Sequence, residues 1–96
     1  MAEKDVLAEI AAERTRQDAQ WGGAAHDDTL PIGTFVQLIR DYAGWAWVKA
    51  REGSPVEARQ RLVQVAALAV AAAESLDRRG SERNEAGPQR EGLEWE

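Results

Sequence analysis

Arg61-Leu62-Val63-Gln64-Val65-Ala66-Ala67-Leu68-Ala69-Val70-Ala71-Ala72-Ala73-Glu74-Ser75-Leu76 is a run of aliphatic and alanine residues with few polar interruptions. Ala58, Leu62, Val65, Ala69, Ala72 and Leu76 step by four and three in alternation, the seam of a closely packed helical bundle. Val63, Ala66, Ala67, Val70 and Ala73 carry the apolar surface to further sides. Most of these are alanines, which let helices approach closely but bury little area each. The start of this helix is well marked. Gly53 ends whatever precedes it, and Ser54-Pro55-Val56-Glu57 offers an N-cap, a proline at the first helical position and a glutamate placed to cap back. Gly80 is the expected stop.

Working outward, a second helix should begin at Thr34, which with Gln37 forms a capping-box pair after Pro31 and Gly33, and run to about Arg51. Phe35, Leu38, Ile39, Tyr42 and Ala46 make one apolar stripe; Val36, Ala43, Trp47 and Ala50 make another. A surface helix of a monomer carries one such stripe. The second therefore favours a homo-oligomer whose subunits complete one another's core, dimers being the commonest case, the alternative being a compact three-helix monomer with Trp45 or Trp47 partly exposed. A first helix from about Glu3 to Gln20 follows from the stripe Val6, Leu7, Ile10 and Ala11. Between them, Trp21-Gly22-Gly23-Ala24-Ala25-His26-Asp27-Asp28 reads as a loop. The expected fold class is all-α, a small bundle of three main helices in one domain over residues 1–80. Ser81 to Glu96 holds five Glu and two Arg, hence -3 of the net charge of -5, and reads as a disordered acidic tail.

Bulk composition narrows the classes of function. A chain of 96 residues makes one domain. Twelve basic against 17 acidic residues argue against a nucleic-acid partner, which needs a basic stripe to displace counterions. Cysteine is absent, so disulfides and thiolate metal sites are excluded. The longest apolar run, Val65 to Ala73, falls far short of the roughly 20 residues that span a bilayer. Met1-Ala2-Glu3-Lys4-Asp5 lacks the apolar stretch of a signal peptide. The expectation is a cytoplasmic protein with neither membrane nor nucleic acid as partner.

The residues most able to carry chemistry cluster at the end of the first helix. Val6, Ile10, Glu13 and Gln17 lie on one line, so the upper half of a core-facing stripe has turned polar. Buried polar groups are costly unless paired, which implies an internal hydrogen-bond network or a ligand site. Arg14 and Arg16 can hold a phosphate, because the guanidinium fork matches its oxygens. Trp21 can stack on a base or plug the core. His26-Asp27-Asp28 has metal-capable atoms, although three adjacent residues rarely aim at one ion, and Asp28 equally suits a turn before Thr29 and Pro31. Glu9 with Glu13, and Glu74 with Asp77, are carboxylate pairs on one helix face, able to share a divalent cation or simply to face solvent. No nucleophile–base set and no phosphate-cradling glycine loop is present.

Val6, Glu9, Ile10, Glu13, Arg14, Arg16 and Gln17, followed by Trp21-Gly22 and His26-Asp27-Asp28, resemble the opening of small phage and prophage proteins described as MazG-like. Arg61 to Val70, ending near Leu76-Asp77-Arg78, resembles their last helix. The resemblance implies an all-α nucleoside triphosphate pyrophosphohydrolase ancestry, usually oligomeric and magnesium-dependent. Such enzymes carry Glu-Glu-x-x-Glu on the middle helix and Glu-x-x-Asp on the next. Here the middle helix offers only Asp41, and Arg61 and Gln64 stand where Glu-x-x-Asp belongs. Phosphoanhydride cleavage needs metal ions to neutralise the phosphates; replacing carboxylates by Arg40 and Arg61 favours direct binding instead.

The resulting expectation is a non-catalytic, phage-type protein that binds a nucleotide or nucleotide-derived signal, as in sequestering an immune messenger. Phosphate would fall to Arg14 and Arg16, or to Arg40 and Arg61, and the base to Trp21 or Trp45, with Glu13 and Gln17 in the same site. One alternative is a magnesium-dependent pyrophosphohydrolase using Glu9, Glu13 and Asp41. Another is an inhibitor of a host defence enzyme that docks through its acidic surface and the face of Trp45 and Trp47. No cofactor is expected outside the magnesium alternative.

Overall fold

The computed structural model describes residues 3–83, and within them all regular structure is helical. Four helices follow one another: α1 (Glu3–Trp21), α2 (Gly23–Asp27), α3 (Ile32–Arg51) and α4 (Pro55–Arg83). No helix among the described residues is long and apolar enough to cross a membrane. Helix α4 is the hub. It packs antiparallel against α3 along most of its length, while α1 and α2 lie on another flank; α1 and α3 do not pack against each other.

The α3–α4 connection is fixed by a glycine. Gly53 sits at φ 82°, in the left-handed region that β-carbon-bearing residues avoid. With it, the Ser54 amide bonds the Lys49 carbonyl at 2.9 Å and the Gly53 amide bonds the Ala50 carbonyl at 3.1 Å, the two bonds of a Schellman cap. That arrangement occupies the Ser54 amide. Glu57 therefore has no capping role and pairs with Lys49 at 3.1 Å. Helix α4 begins at Pro55 as its sequence requires.

Several sequence expectations are corrected here. Helix α3 starts at Ile32 rather than Thr34, with Pro31 as N-cap at φ -60° and ψ 147° and no side-chain cap. The ring of Pro31 presets the entry angle, its carbonyl receives the Thr34 amide at 2.9 Å, and Gln37 turns outward to Asp41 at 3.0 Å. The stretch read as a loop contains α2. Gly80 does not stop α4, which continues to Arg83, because Gly80 stays out of the left-handed region that a glycine stop uses. The acidic tail lies, beyond residue 83, outside the described residues.

The core is small and rich in alanine. Phe35 and Ala46 of α3 are buried with Ala67, Leu68, Ala71 and Ala72 of α4, and Leu30 packs against Phe35. The seam expected on α4 is half right: Val65 and Ala72 turn inward, while Leu62, Ala69 and Leu76 are exposed. Ser75, in register with the buried alanines, lies in the interface instead. The apolar stripe of α1 is largely uncovered, with Val6, Leu7 and Ala11 exposed and Ile10 half-buried. Polar contacts hold α1 in their place. Arg14 grips Glu74 at 2.6 and 3.2 Å, and Arg59 grips Glu9 at 2.7 and 3.1 Å.

Candidate functional site

Because α1 and α3 do not meet, α1 leaves an open groove of about 670 Å³ over the first half of α4. Glu9, Glu13 and Arg16 enter it from α1, Lys49 from the end of α3, and Glu57, Arg59, Arg61 and Gln64 from α4. Four cations thus converge in a chain of net charge -5. Three of them are neutralised locally. Arg16 forms a two-pronged bond to Glu13, Arg59 to Glu9, and Lys49 lies 3.1 Å from Glu57 and 3.4 Å from Glu52. The Arg16 guanidinium, helped by the Gln17 amide, holds the Glu13 carboxyl below its ordinary range, and Arg59 does the same for Glu9.

Arg61 differs. Its Nη1 donates to Gln64 Oε1 at 3.2 Å, and its guanidinium carbon lies 5.1 Å from the centre of the Trp45 ring and 5.9 Å from that of Tyr42. No carboxylate pairs with it among the described residues. The two rings themselves stand 4.8 Å apart at 52°, and Trp45 is exposed. Arg61 and Gln64 therefore form one connected unit with Tyr42 and Trp45: a positive charge steered by aromatic faces and a side-chain amide.

A second, more apolar cavity of about 270 Å³ lies beneath the far half of α1, against Leu30, Phe35, Leu38, Leu68 and Ala71. Arg14, Gln17 and Trp21 line it, together with His26 and Asp27. Gln17 is 4% exposed and donates to Glu13 at 3.0 Å, which joins the two hollows through one hydrogen bond. The polar half of the α1 stripe is thus a paired network. The Arg14 Nε and His26 Nδ1 atoms are buried with no hydrogen-bond partner among the described residues, Asp27 Oδ1 standing 3.5 Å from His26 Nδ1.

At the foot of this cavity α2 is clasped to α4. Asp28 accepts from Ser75 Oγ at 2.7 Å and from Arg78 Nε and Nη2, and Arg79 reaches the Asp27 carbonyl at 2.6 Å. Arg78 first, and then Ser75, hold the Asp28 carboxyl down to a pKa of about 2. His26-Asp27-Asp28 therefore serves as a fastening for the chain: Asp28 faces α4 while His26 and Asp27 line the cavity.

The sequence-derived candidates are thus divided. Arg16 and Arg61 share the groove with Glu9 and Glu13, and Trp45 stands at its Arg61 end. Arg14 and Trp21 belong to the apolar cavity, and Arg14 is committed to Glu74. Arg40 and Asp41 are exposed on α3, apart from both hollows. Glu9, Glu13 and Asp41 do not come together, and among the described residues no three Asp, Glu or His side chains converge as a metal-binding group. Lys49 and Arg59 were not among the sequence candidates. Their partners are distant in sequence or look like ordinary helix-surface pairs, so only the folded chain gathers them. No protein-family model matches the chain, and no curated protein or solved structure matches it.

Proposed function

We propose that the protein binds a phosphorylated nucleotide or nucleotide-derived signal in the α1–α4 groove and does not cleave it. The observation that carries this reading is Arg61, a groove cation with no carboxylate partner among the described residues, held against the exposed ring of Trp45. A phosphate supplies the missing counter-charge through the guanidinium fork, and Trp45 supplies a stacking surface for a base. Arg16 and Arg59 are drawn toward additional phosphate oxygens by exchanging part of their bonds to Glu13 and Glu9. Sequestration of a nucleotide messenger requires nothing more than such binding. Asp41 lies apart from the groove that Glu9 and Glu13 line, and those two carboxylates are bonded to Arg59 and Arg16, which favours binding over magnesium-dependent hydrolysis.

The test is calorimetry against a panel of linear and cyclic nucleotides, with chromatography of the nucleotide after heat release. Arg61→Gln and Trp45→Ala should each weaken binding at least about fivefold, since charge-assisted hydrogen bonds and base stacking contribute about 1–3 kcal/mol each. Trp21→Ala should leave affinity unchanged. Recovery of a shortened product only with magnesium or manganese would restore the hydrolase alternative. Unchanged affinity in both groove variants would refute the assignment. The exposed apolar rows of α3 and α4 separately favour a homo-oligomer.

A further inference from the structure

The cavity beneath α1 follows from the way that helix is held. Arg14 and Gln17 stand where a core-facing stripe would carry large apolar side chains, and Arg14 reaches across to Glu74. No side chain fills the hollow of about 270 Å³ between Trp21, Phe35, Leu38 and Leu68. A dry apolar cavity of about 150 Å³ takes up benzene. This one therefore has room for a ring with a short chain, or for two fused rings.

Its wall carries a charge without a counter-ion. Asp27 lines the cavity at 8% exposure, and its carboxylate accepts no hydrogen bond among the described residues. Each cation nearby is engaged elsewhere: Arg14 by Glu74, Arg78 by Asp28, and Arg79 by the Asp27 carbonyl and Ser75 Oγ. His26 comes nearest, with Nδ1 3.5 Å from Asp27 Oδ1, but that nitrogen makes no hydrogen bond and is sealed from solvent. The Asp27 oxygens are not sealed in this way, so they remain accessible from the cavity. Asp18, exposed on α1, adds a second carboxylate to the lining.

A buried carboxylate is costly unless it is paired and hydrogen-bonded, and that fixes the chemistry of the partner. An anion is repelled by Asp27 and Asp18, and a neutral ring leaves the charge unbalanced. An ammonium brings three donors and the missing positive charge. A ring attached to it covers Phe35 and Leu68, and Trp21 offers the cation an aromatic surface. We propose that the cavity is a second binding site, for a small primary amine carried on a flat apolar body, with the Asp27 carboxylate as its counter-ion. The site is separate from the α1–α4 groove and does not depend on the nucleotide reading.

The probe is 2-phenylethylamine, titrated into the full chain by calorimetry beside its neutral and anionic counterparts, 2-phenylethanol and 3-phenylpropionate. The amine should bind at least about tenfold more tightly than either, the weight of one hydrogen bond to a charged group. Asp27→Asn keeps the shape and removes the charge, so it should erase that preference and leave the alcohol unaffected. Leu38→Phe, checked for helicity by circular dichroism, should fill the cavity and weaken amine and alcohol alike. Arg61→Gln, in the groove, should change neither. No binding of the amine, or equal binding of amine, alcohol and acid, would overturn the proposal. So would an amine affinity that survives Asp27→Asn or Leu38→Phe, or one that responds to Arg61→Gln instead, which would place the amine in the groove.

Discussion

Leu68→Ala tests the account of the core most directly. Leu68 is 1% exposed and, with Phe35, is one of the two large buried apolar side chains in a core otherwise built of alanine. The substitution removes three buried carbons at about 0.8 kcal/mol each, or about 2.4 kcal/mol. Incomplete collapse of the resulting void raises the loss to about 3–4 kcal/mol. A domain with roughly 80 ordered residues holds about 4–12 kcal/mol in all, so this one side chain accounts for a quarter or more of it. The corresponding drop in thermal midpoint is at least about 12 °C. The control is Leu7→Ala on α1, the same chemical change at a side chain 66% exposed, which should stay within about 0.5 kcal/mol. Urea unfolding followed by far-ultraviolet circular dichroism, at one fixed protein concentration, reads both. A loss below about 1 kcal/mol for Leu68→Ala, or equal losses at the two positions, would refute the assignment of the core to the α3–α4 contact.

Acid should weaken the α2 clasp in a defined window. Because the folded Asp28 carboxyl sits at about 2, below the usual 3.8, its contribution is complete above the unfolded value and disappears as pH falls from about 4 toward 2. The thermal midpoint of the wild type should exceed that of Asp28→Asn at pH 6 and converge with it near pH 2; a gap that ignores pH would contradict the pairing with Arg78. Gly53→Ala forces a β-carbon into the left-handed region with no neighbour in the way, so the cost is conformational, about 1–2 kcal/mol by urea unfolding; an unchanged midpoint would show that the cap is not formed. A double-mutant cycle on Arg14 and Glu74 should give a coupling of at most about 1 kcal/mol for this partly exposed pair. Zero coupling would mean that the contact does not hold α1 in place.

The helices were legible in the sequence where their boundaries depend on backbone chemistry. Gly53 and Pro55 announce the α3–α4 turn through φ preferences that no tertiary contact overrides. The start of α3 was misread because Thr34-x-x-Gln37 satisfies a local rule that Pro31 had already made unnecessary. Alanine is the reason the facing of α4 was only half legible: a residue that gains little from burial marks neither inside nor outside, so Ala69 and Ala72 look alike. A better signal was Ser75, a polar residue in register with the buried alanines, which anchors the clasp with Asp28 and Arg78. Of the candidate site, Arg16, Arg61 and Trp45 could be picked out by residue type. Their grouping with Arg59 and Lys49 depends on pairings across up to 50 positions of chain, which no local pattern encodes.

The polar fastening of α1 has a consequence for how the molecule opens. An element docked by apolar area is insensitive to electrolyte, whereas α1 leans on guanidinium–carboxylate pairs, among them Arg59–Glu9 and Arg14–Glu74. Exposed pairs of this kind fade as the Debye length shrinks from about 10 Å at 0.1 M salt to about 3 Å at 1 M. Ionic strength therefore acts on the roof of the groove and much less on its floor. In hydrogen exchange, amides of α1 should lose protection as salt rises while those of α3 and α4 keep theirs, making the wall that completes the groove the first part of the chain to detach.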